Sequence, residues 1–201
     1  LIAGKDADLT APYENAPASV YRGIAPDARI VSLKVGVADG GVDVTQVIAA
    51  INWVVDNKTA NGLNIRVLSL AYAAPAQQSS TIDPLSFAVE RAWKAGIVVV
   101  TPTGNAGYIK GKKSPQIASP AFNPFVIAVG GYDTKGTAAT NDDAMGSYSQ
   151  GSCASPCKKP DFSAVGSRLQ GLRVPNSFID ANHGGGVLGT RYFRGSGTSQ
   201  A

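Results

Sequence analysis

The sequence is short of the residues that metal and redox sites most often use. Its 201 residues include one histidine, one methionine and two cysteines. Cys153 and Cys157 lie four positions apart, which permits a local disulfide or two free thiols, and the disulfide is the favoured interpretation. Two sulfurs and one histidine far off in sequence do not make a zinc site. No metal site and no cofactor is therefore expected.

Charge and long apolar runs are also scarce. Only 16% of the residues are charged and the net charge is +4. No apolar run approaches the ~20 residues needed to span a bilayer, so no membrane contact is expected. The densest basic cluster, Lys110, Lys112 and Lys113, lies in a Gly/Ser/Pro stretch without aromatics. This pattern predicts a solvated loop rather than a nucleic-acid surface.

What the sequence does have is an alternation of apolar strands and amphipathic helices. Strands are predicted at 29–35, 65–70, 97–101 and 125–129, and helices at 44–58 and 84–95. This order implies right-handed crossovers between parallel strands buried on both sides. The predicted fold is therefore α/β, a three-layer, doubly wound, mainly parallel sheet with helices on both faces.

Both helices carry start signals. Asp43 and Gln46 predict a capping box, and Asp83-Pro84 predicts an N-cap followed by proline at the first helical position. The second helix is expected to bury a stripe that includes Trp93 and to end at Gly96.

The candidate chemistry follows the third strand and ends the chain. Sites in such sheets lie at the carboxyl ends of the strands, which draws attention to Asn105 in the stretch 101–107. Its side chain is either a turn former or an amide donor to an oxyanion. Ser199, in the closing sequence GSGTSQA, is either part of a loose tail or a nucleophile at a helix start. His183 is expected to be an ordinary loop histidine and Asp161 a turn or cap residue.

A nucleotide site is the other function that such a sheet suggests. The segment 184–189 matches G-x-G-x-x-G. No predicted strand precedes it and no amphipathic helix follows it, so the context that the motif needs is missing.

Five segments, in order, resemble motifs of the subtilisin-like serine proteases, the subtilase family. They are GIAPDARI from Gly23, GIVVV with GNAG from Gly96, SPA with VIAVG from Ser119, YSQG with KPDFSAVG from Tyr148, and GTSQA from Gly197. The resemblance implies a serine endopeptidase in which Ser199 is the nucleophile and Asn105 the oxyanion-hole amide. It also implies that substrate lies along Leu70, Ala71, Tyr72 and Ala73. Thr101, Pro102, Thr103 and Gly104 would form a wall of the first specificity pocket.

The family's Asp and His motifs are absent from this sequence. Residues 1–201 are therefore expected to be a partial catalytic domain that lacks the N-terminal Asp/His portion and the C-terminal helices, and to be almost inert alone. The parent is expected to be a secreted or cell-surface monomer acting on proteins or peptides, with structural calcium possible. Ala73 and Val165 depart from the family's glycine and proline, and 101–103 from its small-residue run. The alternative is a degenerate, non-catalytic peptide-binding module.

Overall fold

The computed structural model describes residues 1–17, 19–75, 78–108, 116–151 and 160–201. The predictions for Cys153, Cys157 and the three clustered lysines fall outside these ranges, as does Lys159, the first residue of the KPDFSAVG motif. The described chain forms two compact units. The core unit comprises Val35–Leu169 with Gly195–Ala201, and the ribbon unit comprises Leu1–Lys34 with Gln170–Arg194.

The core unit is built on a five-stranded, mainly parallel sheet. Its strands are β1 (Val67–Ser69), β2 (Val98–Pro102), β3 (Ile127–Asp133), β4 (Ala144–Met145) and β5 (Phe162–Val165). The order is β1-β2-β3-β4, with β5 also paired to β3, and only the β3–β4 pair is antiparallel. Three of the strands lie close to the predicted positions, and the parallel α/β fold class is confirmed.

Two helices supply most of the apolar core. Helix α1 spans Val44–Asp56 and α2 spans Pro84–Lys94. Their inward faces, together with Ile97, Val99 and Val126, form one buried cluster in the core unit. Burying an apolar side chain of this size contributes about 1.5–3 kcal/mol, which makes the cluster the main stabilising feature of this unit.

The N-caps Asp43 and Asp83 and the end of α2 at Gly96 are as predicted, but the capping box is not formed, because Gln46 makes no side-chain hydrogen bond within the described ranges. The Asp43 carboxylate accepts from the Thr45 amide and hydroxyl, and Asp83 accepts from the Leu85 amide. After α2, the Gly96 amide donates to Trp93 and the Ile97 amide to Ala92. These two bonds form a Schellman motif, which needs a left-handed residue, and Gly96 has φ +78°.

Two predictions about apolar residues are wrong. Residues 29–35 do not form a strand, and Ile30, Val31 and Leu33 are exposed. A β-branched run becomes a strand only when a neighbour completes its hydrogen bonds, and no described strand pairs with this one. Trp93 is 37% exposed, since it lies at the edge of the stripe formed by Leu85 and Val89.

The ribbon unit contains a three-stranded sheet and little apolar packing. Its strands are β6 (Leu169–Leu172), β7 (Val187–Leu188) and β8 (Tyr192–Gly195), in the order β6-β8-β7, and its helix α3 spans Phe178–Asn182. No described residue of this unit is buried. Its long-range contacts include one charge pair and one aromatic pair: Arg191 pairs with Asp6, and the rings of Tyr21 and Tyr192 are 5.9 Å apart.

None of the helices in the described ranges has the length and apolar character to cross a bilayer. The same ranges contain no group of three or more histidine, cysteine or acidic side chains arranged to hold a metal ion.

Candidate active site

Ser199 lies exposed in a tight turn at the end of the core unit. The Gln200 amide donates to the Gly197 carbonyl at 3.0 Å and closes this turn. The turn is anchored on the segment that follows β5, because the Gly197 amide donates to Gly166 at 2.9 Å and the Arg168 amide donates to Ser196 Oγ at 2.8 Å. The serine is therefore held near the carboxyl end of β5, where the sheet topology predicts a site.

Asn105, which follows β2, is bonded directly to this turn. Its Oδ1 accepts from the Thr198 amide at 2.9 Å and from the Thr198 hydroxyl, also at 2.9 Å. The same hydroxyl accepts from the Gly104 amide at 3.2 Å. Thr198, the residue immediately before Ser199, thus connects the serine turn to the loop after β2, which lies more than ninety residues earlier in the sequence.

These contacts fix which way the Asn105 carboxamide points. Two donors converge on Oδ1, so that atom must be the oxygen and Nδ2 must point elsewhere. Nδ2 lies beside Gly197, where an added Cβ would come within 3.3 Å of it. The N–H donor of the Asn105 carboxamide therefore lies against the serine turn. The oxygen of the same carboxamide accepts two hydrogen bonds from Thr198, and these fix its orientation.

The segment 147–150 supports the Asn105 loop from the other side. The Gly107 amide donates to Tyr148, the Tyr108 amide to Ser147, and the Gln150 amide to Gly104. The residues on both sides of Asn105 are consequently fixed by backbone hydrogen bonds. Thr198 and Gln150 both stand in the motifs quoted above, but their roles could not be predicted from the sequence because their contacts are long-range.

Two titratable groups of the core unit, Asp133 and Tyr148, have shifted pKa values. Hydrogen bonds from Arg168 and from the Lys135 amide lower the pKa of the Asp133 carboxyl. Burial raises the pKa of Tyr148, whose hydroxyl lies 3.2 Å from Ser167 Oγ. Neither shift changes the protonation state that is usual for the group at neutral pH.

The two predicted substrate segments lie in the core unit as well. Thr101, Pro102, Thr103 and Gly104 are all buried, and no hydrogen-bond partner for Thr101 Oγ1 or Thr103 Oγ1 is present in the described ranges. Residues 70–73 follow β1, with Ala71 exposed. The Leu70 amide donates to Val100 and the Tyr72 amide to Leu70, so these two donors are already used.

The two other residues considered for a catalytic role, His183 and Asp161, hydrogen-bond within the secondary structure. His183 is the C-cap of α3 in the ribbon unit, and 184–186 forms one turn of 3-10 helix. The Asp161 carboxylate accepts from the Ala128 amide at 2.7 Å, and the Asp161 amide donates to the Ala128 carbonyl at 2.9 Å. Asp161 thus connects the start of β5 to β3.

The fold and the site together define an α/β protein whose exposed serine and amide donor lie on adjoining loops near the carboxyl ends of the strands. The sequence matches the Subtilase family over residues 1–201. It is 37% identical over 185 residues to serine protease AprX of Bacillus subtilis, covering 90% of this chain and 41% of AprX. It is 31% identical over 112 residues to subtilisin DY of Bacillus licheniformis, covering 56% of this chain and 36% of that protein.

A solved structure, sphericase, superimposes with a TM-score of 0.66 at 26% identity, covering 90% of this chain and 52% of that one. The chain belongs to the subtilase family. It spans about two-fifths of the length of AprX, and the fold is subtilisin-like.

Proposed function

We propose that the protein is a serine endopeptidase that cleaves peptide bonds by acyl transfer through Ser199. The observation that carries this proposal is the pair of hydrogen bonds that the Thr198 amide and hydroxyl donate to Asn105 Oδ1. Because the oxygen is held by these two donors, the amide N–H group of Asn105 faces the serine turn. A nucleophile beside a preorganised amide donor is the arrangement that acyl transfer requires.

In the proposed reaction, Ser199 Oγ attacks the substrate carbonyl carbon and the carbonyl oxygen becomes negatively charged. Asn105 Nδ2 and the Ser199 backbone amide would donate to that oxygen. Because Oδ1 is held by two donors, the amide does not have to reorient as the charge develops. The general base removes the hydroxyl proton of Ser199 during the attack and gives it to the leaving amine as the intermediate collapses. The acyl-serine that remains is then hydrolysed by water.

The general base is proposed to come from outside these 201 residues. The family's His and Asp motifs are absent, and the one histidine of the sequence caps a short helix in the ribbon unit. We therefore expect the isolated chain to have almost no activity, because an unactivated serine is a weak nucleophile.

Substrate binding is proposed along two segments of the core unit. Residues 70–73 would pair with the substrate backbone as an added strand, and residues 101–104 would form a wall of the first specificity pocket. The exposure of Ala71 supports the first assignment. The burial of Gly104 next to the exposed Asn105 supports the second.

The test is hydrolysis of an unstructured protein by the full-length protein and its Ser199→Ala variant. We expect Ser199→Ala to abolish hydrolysis, while Ser19→Ala, at an exposed serine of the ribbon unit, leaves it unchanged. Hydrolysis that survives Ser199→Ala would contradict the assignment. Peptide binding without hydrolysis by the unaltered protein would favour the non-catalytic binding module instead.

The oxyanion assignment has its own test in Asn105→Ala. Loss of one such donor lowers kcat by about 10²–10³, a magnitude established in subtilisin itself. We expect a loss in that range with KM within about two-fold, because the donor acts on the transition state. An unchanged kcat would show that Asn105 only forms the turn.

A further inference from the structure

Gln150 is a buried amide that contacts three points around Asn105. It is only 8% exposed. Its Oε1 accepts from the Ala106 amide at 3.1 Å, and its own backbone amide donates to the Gly104 carbonyl at 3.1 Å. Its Nε2 donates to the Gln116 carbonyl. One residue therefore holds the positions immediately before and after Asn105 and links them to a third segment.

The loop is shaped to bring this side chain close. Gly104 has φ +106°, and a Cβ there would lie 2.0 Å from Gln150 Oε1 and 3.2 Å from Ala118 Cβ. The Gln150 carboxamide thus fills the space that the absent side chain leaves. A buried amide with both its oxygen and its nitrogen bonded is well satisfied, so its position is narrowly defined.

Among the described residues, only Thr198 hydrogen-bonds the side chain of Asn105. The distance from the Asn105 side chain to the serine turn therefore depends also on the position of the backbone at Gly104 and Ala106. Gln150 sets that backbone position through one bond on each side of Asn105. A displacement of about 1 Å in a catalytic group can lower a rate by about 10².

We propose that Gln150 is a positioning residue for the oxyanion donor. It acts through Asn105 and makes no contact with substrate. This inference rests on the proposed function, because it assigns Gln150 to the same reaction. It predicts that loss of the Gln150 carboxamide lowers kcat and leaves KM nearly unchanged, since the displaced donor serves the transition state more than the bound substrate.

The kinetic test compares Gln150→Leu with Gln46→Leu in the full-length protein. Gln46 is exposed on α1, so the same chemical change there serves as the matched control. We expect Gln150→Leu to lower kcat by about 10–100-fold with KM within about two-fold, and Gln46→Leu to change neither. Where Gln150→Leu does not fold, Gln150→Glu keeps the acceptor for Ala106 and removes the donor to Gln116; we expect it to lower kcat by about ten-fold.

A double-mutant cycle separates positioning from a general structural role. In an Asn105→Ala background, Gln150→Leu should cost less than about three-fold in kcat, because the donor that it positions is already gone. Fully additive losses, or a kcat unchanged by Gln150→Leu alone, would overturn the proposal. If Ser199→Ala abolishes hydrolysis while the Gln150 result is negative, only this inference fails and the proposed function stands.

Amide hydrogen exchange tests the same contact without any activity. The Ala106 amide is bonded to the Gln150 side chain, whereas the Gly107 amide is bonded to the backbone of Tyr148. Gln150→Leu should speed exchange at Ala106 by about ten-fold or more, with a smaller effect at Gly107. Equal exchange at Ala106 in both proteins would overturn the positioning role, even if the protein proved not to be a peptidase.

Discussion

The core unit and the ribbon unit are stabilised by different kinds of interaction. The core unit buries an apolar cluster drawn from two helices and the sheet, and it carries every residue of the candidate site. In the ribbon unit no described residue is buried, and charge pairs and tyrosine contacts connect its segments. The candidate site residues Asn105 and Ser199 are exposed themselves, but they follow the buried residues Gly104 and Thr198 of the core unit, and close-packed interiors deform least.

Ion pairs and side-chain hydrogen bonds connect the segments of the ribbon unit, in which no described residue is buried. Arg173 binds both oxygens of Asp180, at 2.5 and 3.0 Å. Asp27 accepts from the Tyr13 hydroxyl at 2.7 Å and from Lys5 Nζ at 2.9 Å. The Lys5–Asp27 pair is exposed, and exposed pairs contribute little individually and are weakened by salt. We therefore expect the ribbon unit to open more readily than the core unit.

The largest expected effect comes from removing apolar volume in the core unit. Leu85 is fully buried, so Leu85→Ala should lower the free energy of unfolding of the full-length protein by about 2–5 kcal/mol. Leu172, in the ribbon unit, is 46% exposed and provides the matched control. Urea denaturation measures both, and equal losses for Leu85→Ala and Leu172→Ala would contradict the contrast between the units.

A second prediction concerns a buried polar group of the core unit. Asp83 caps α2 and also accepts from the Ser86 hydroxyl at 3.1 Å and from the Ser119 hydroxyl. Asp83→Ala leaves both buried hydroxyls without their acceptor, and we expect a loss of about 2–3 kcal/mol in the same denaturation measurement. Asp43→Ala removes an exposed cap and should cost clearly less; the reverse order would show that burial is not what gives Asp83 its effect.

A third prediction concerns pH. Hydrogen bonds from Arg191, Tyr13 and Arg173 lower the pKa values of Asp6, Asp27 and Asp180 respectively. A lowered pKa means that these carboxylates stabilise the fold above their unfolded pKa of about 3.9, and that this stability is lost as the pH falls through their folded values. Asp43 and Asp133 of the core unit shift in the same direction, but the apolar cluster does not titrate.

Amide protection factors measured between pH 5 and pH 2.5 check this prediction. Ribbon-unit amides such as Gly23, which donates to Gly4, should lose protection at a higher pH than Thr103, which donates to Val129. Simultaneous loss in both units would mean that the carboxylates of the ribbon unit are not what acid removes.

The smallest expected effect is that of a single ribbon-unit charge. Arg191 pairs with Asp6 and lies 5.3 Å from the centre of the Tyr192 ring. Arg191→Met should accelerate amide exchange near Asp6 and Tyr21 and leave the urea midpoint of the core unit unchanged. A shifted core midpoint would contradict the separate stabilisation of the two units.

Local patterns in the sequence were sufficient to predict α1, α2 and the central parallel strands β1, β2 and β3, but not the short helix α3. The apolar spacing of α1 and the Asp83-Pro84 and Gly96 signals of α2 all act within one or two turns of chain. The stretch 29–35 has an equally strong strand pattern, but a strand also needs a partner, and that requirement cannot be read from local sequence.

The candidate site was predicted only as far as its motifs extend. Ser199 and Asn105 were found through their resemblance to a family pattern. Two features of the site depend on contacts across about 45 to 95 residues of sequence. Thr198 donates to the Asn105 oxygen, and Gln150 hydrogen-bonds the residues on either side of Asn105. Gln150 and Thr198 are common polar residue types, so nothing in their identity indicates which buried group they contact.

The central claim is that Ser199 is the nucleophile of a serine peptidase. It is tested most directly by treating the full-length protein with a serine-directed phosphonate and locating the adduct by peptide mass spectrometry. We expect a single adduct on Ser199, which is lost in Ser199→Ala and nearly absent when the 201-residue chain is treated alone. An unmodified Ser199 in a protein that hydrolyses peptides would contradict the claim. Strong labelling of the isolated chain would contradict the assignment of the general base to residues outside it.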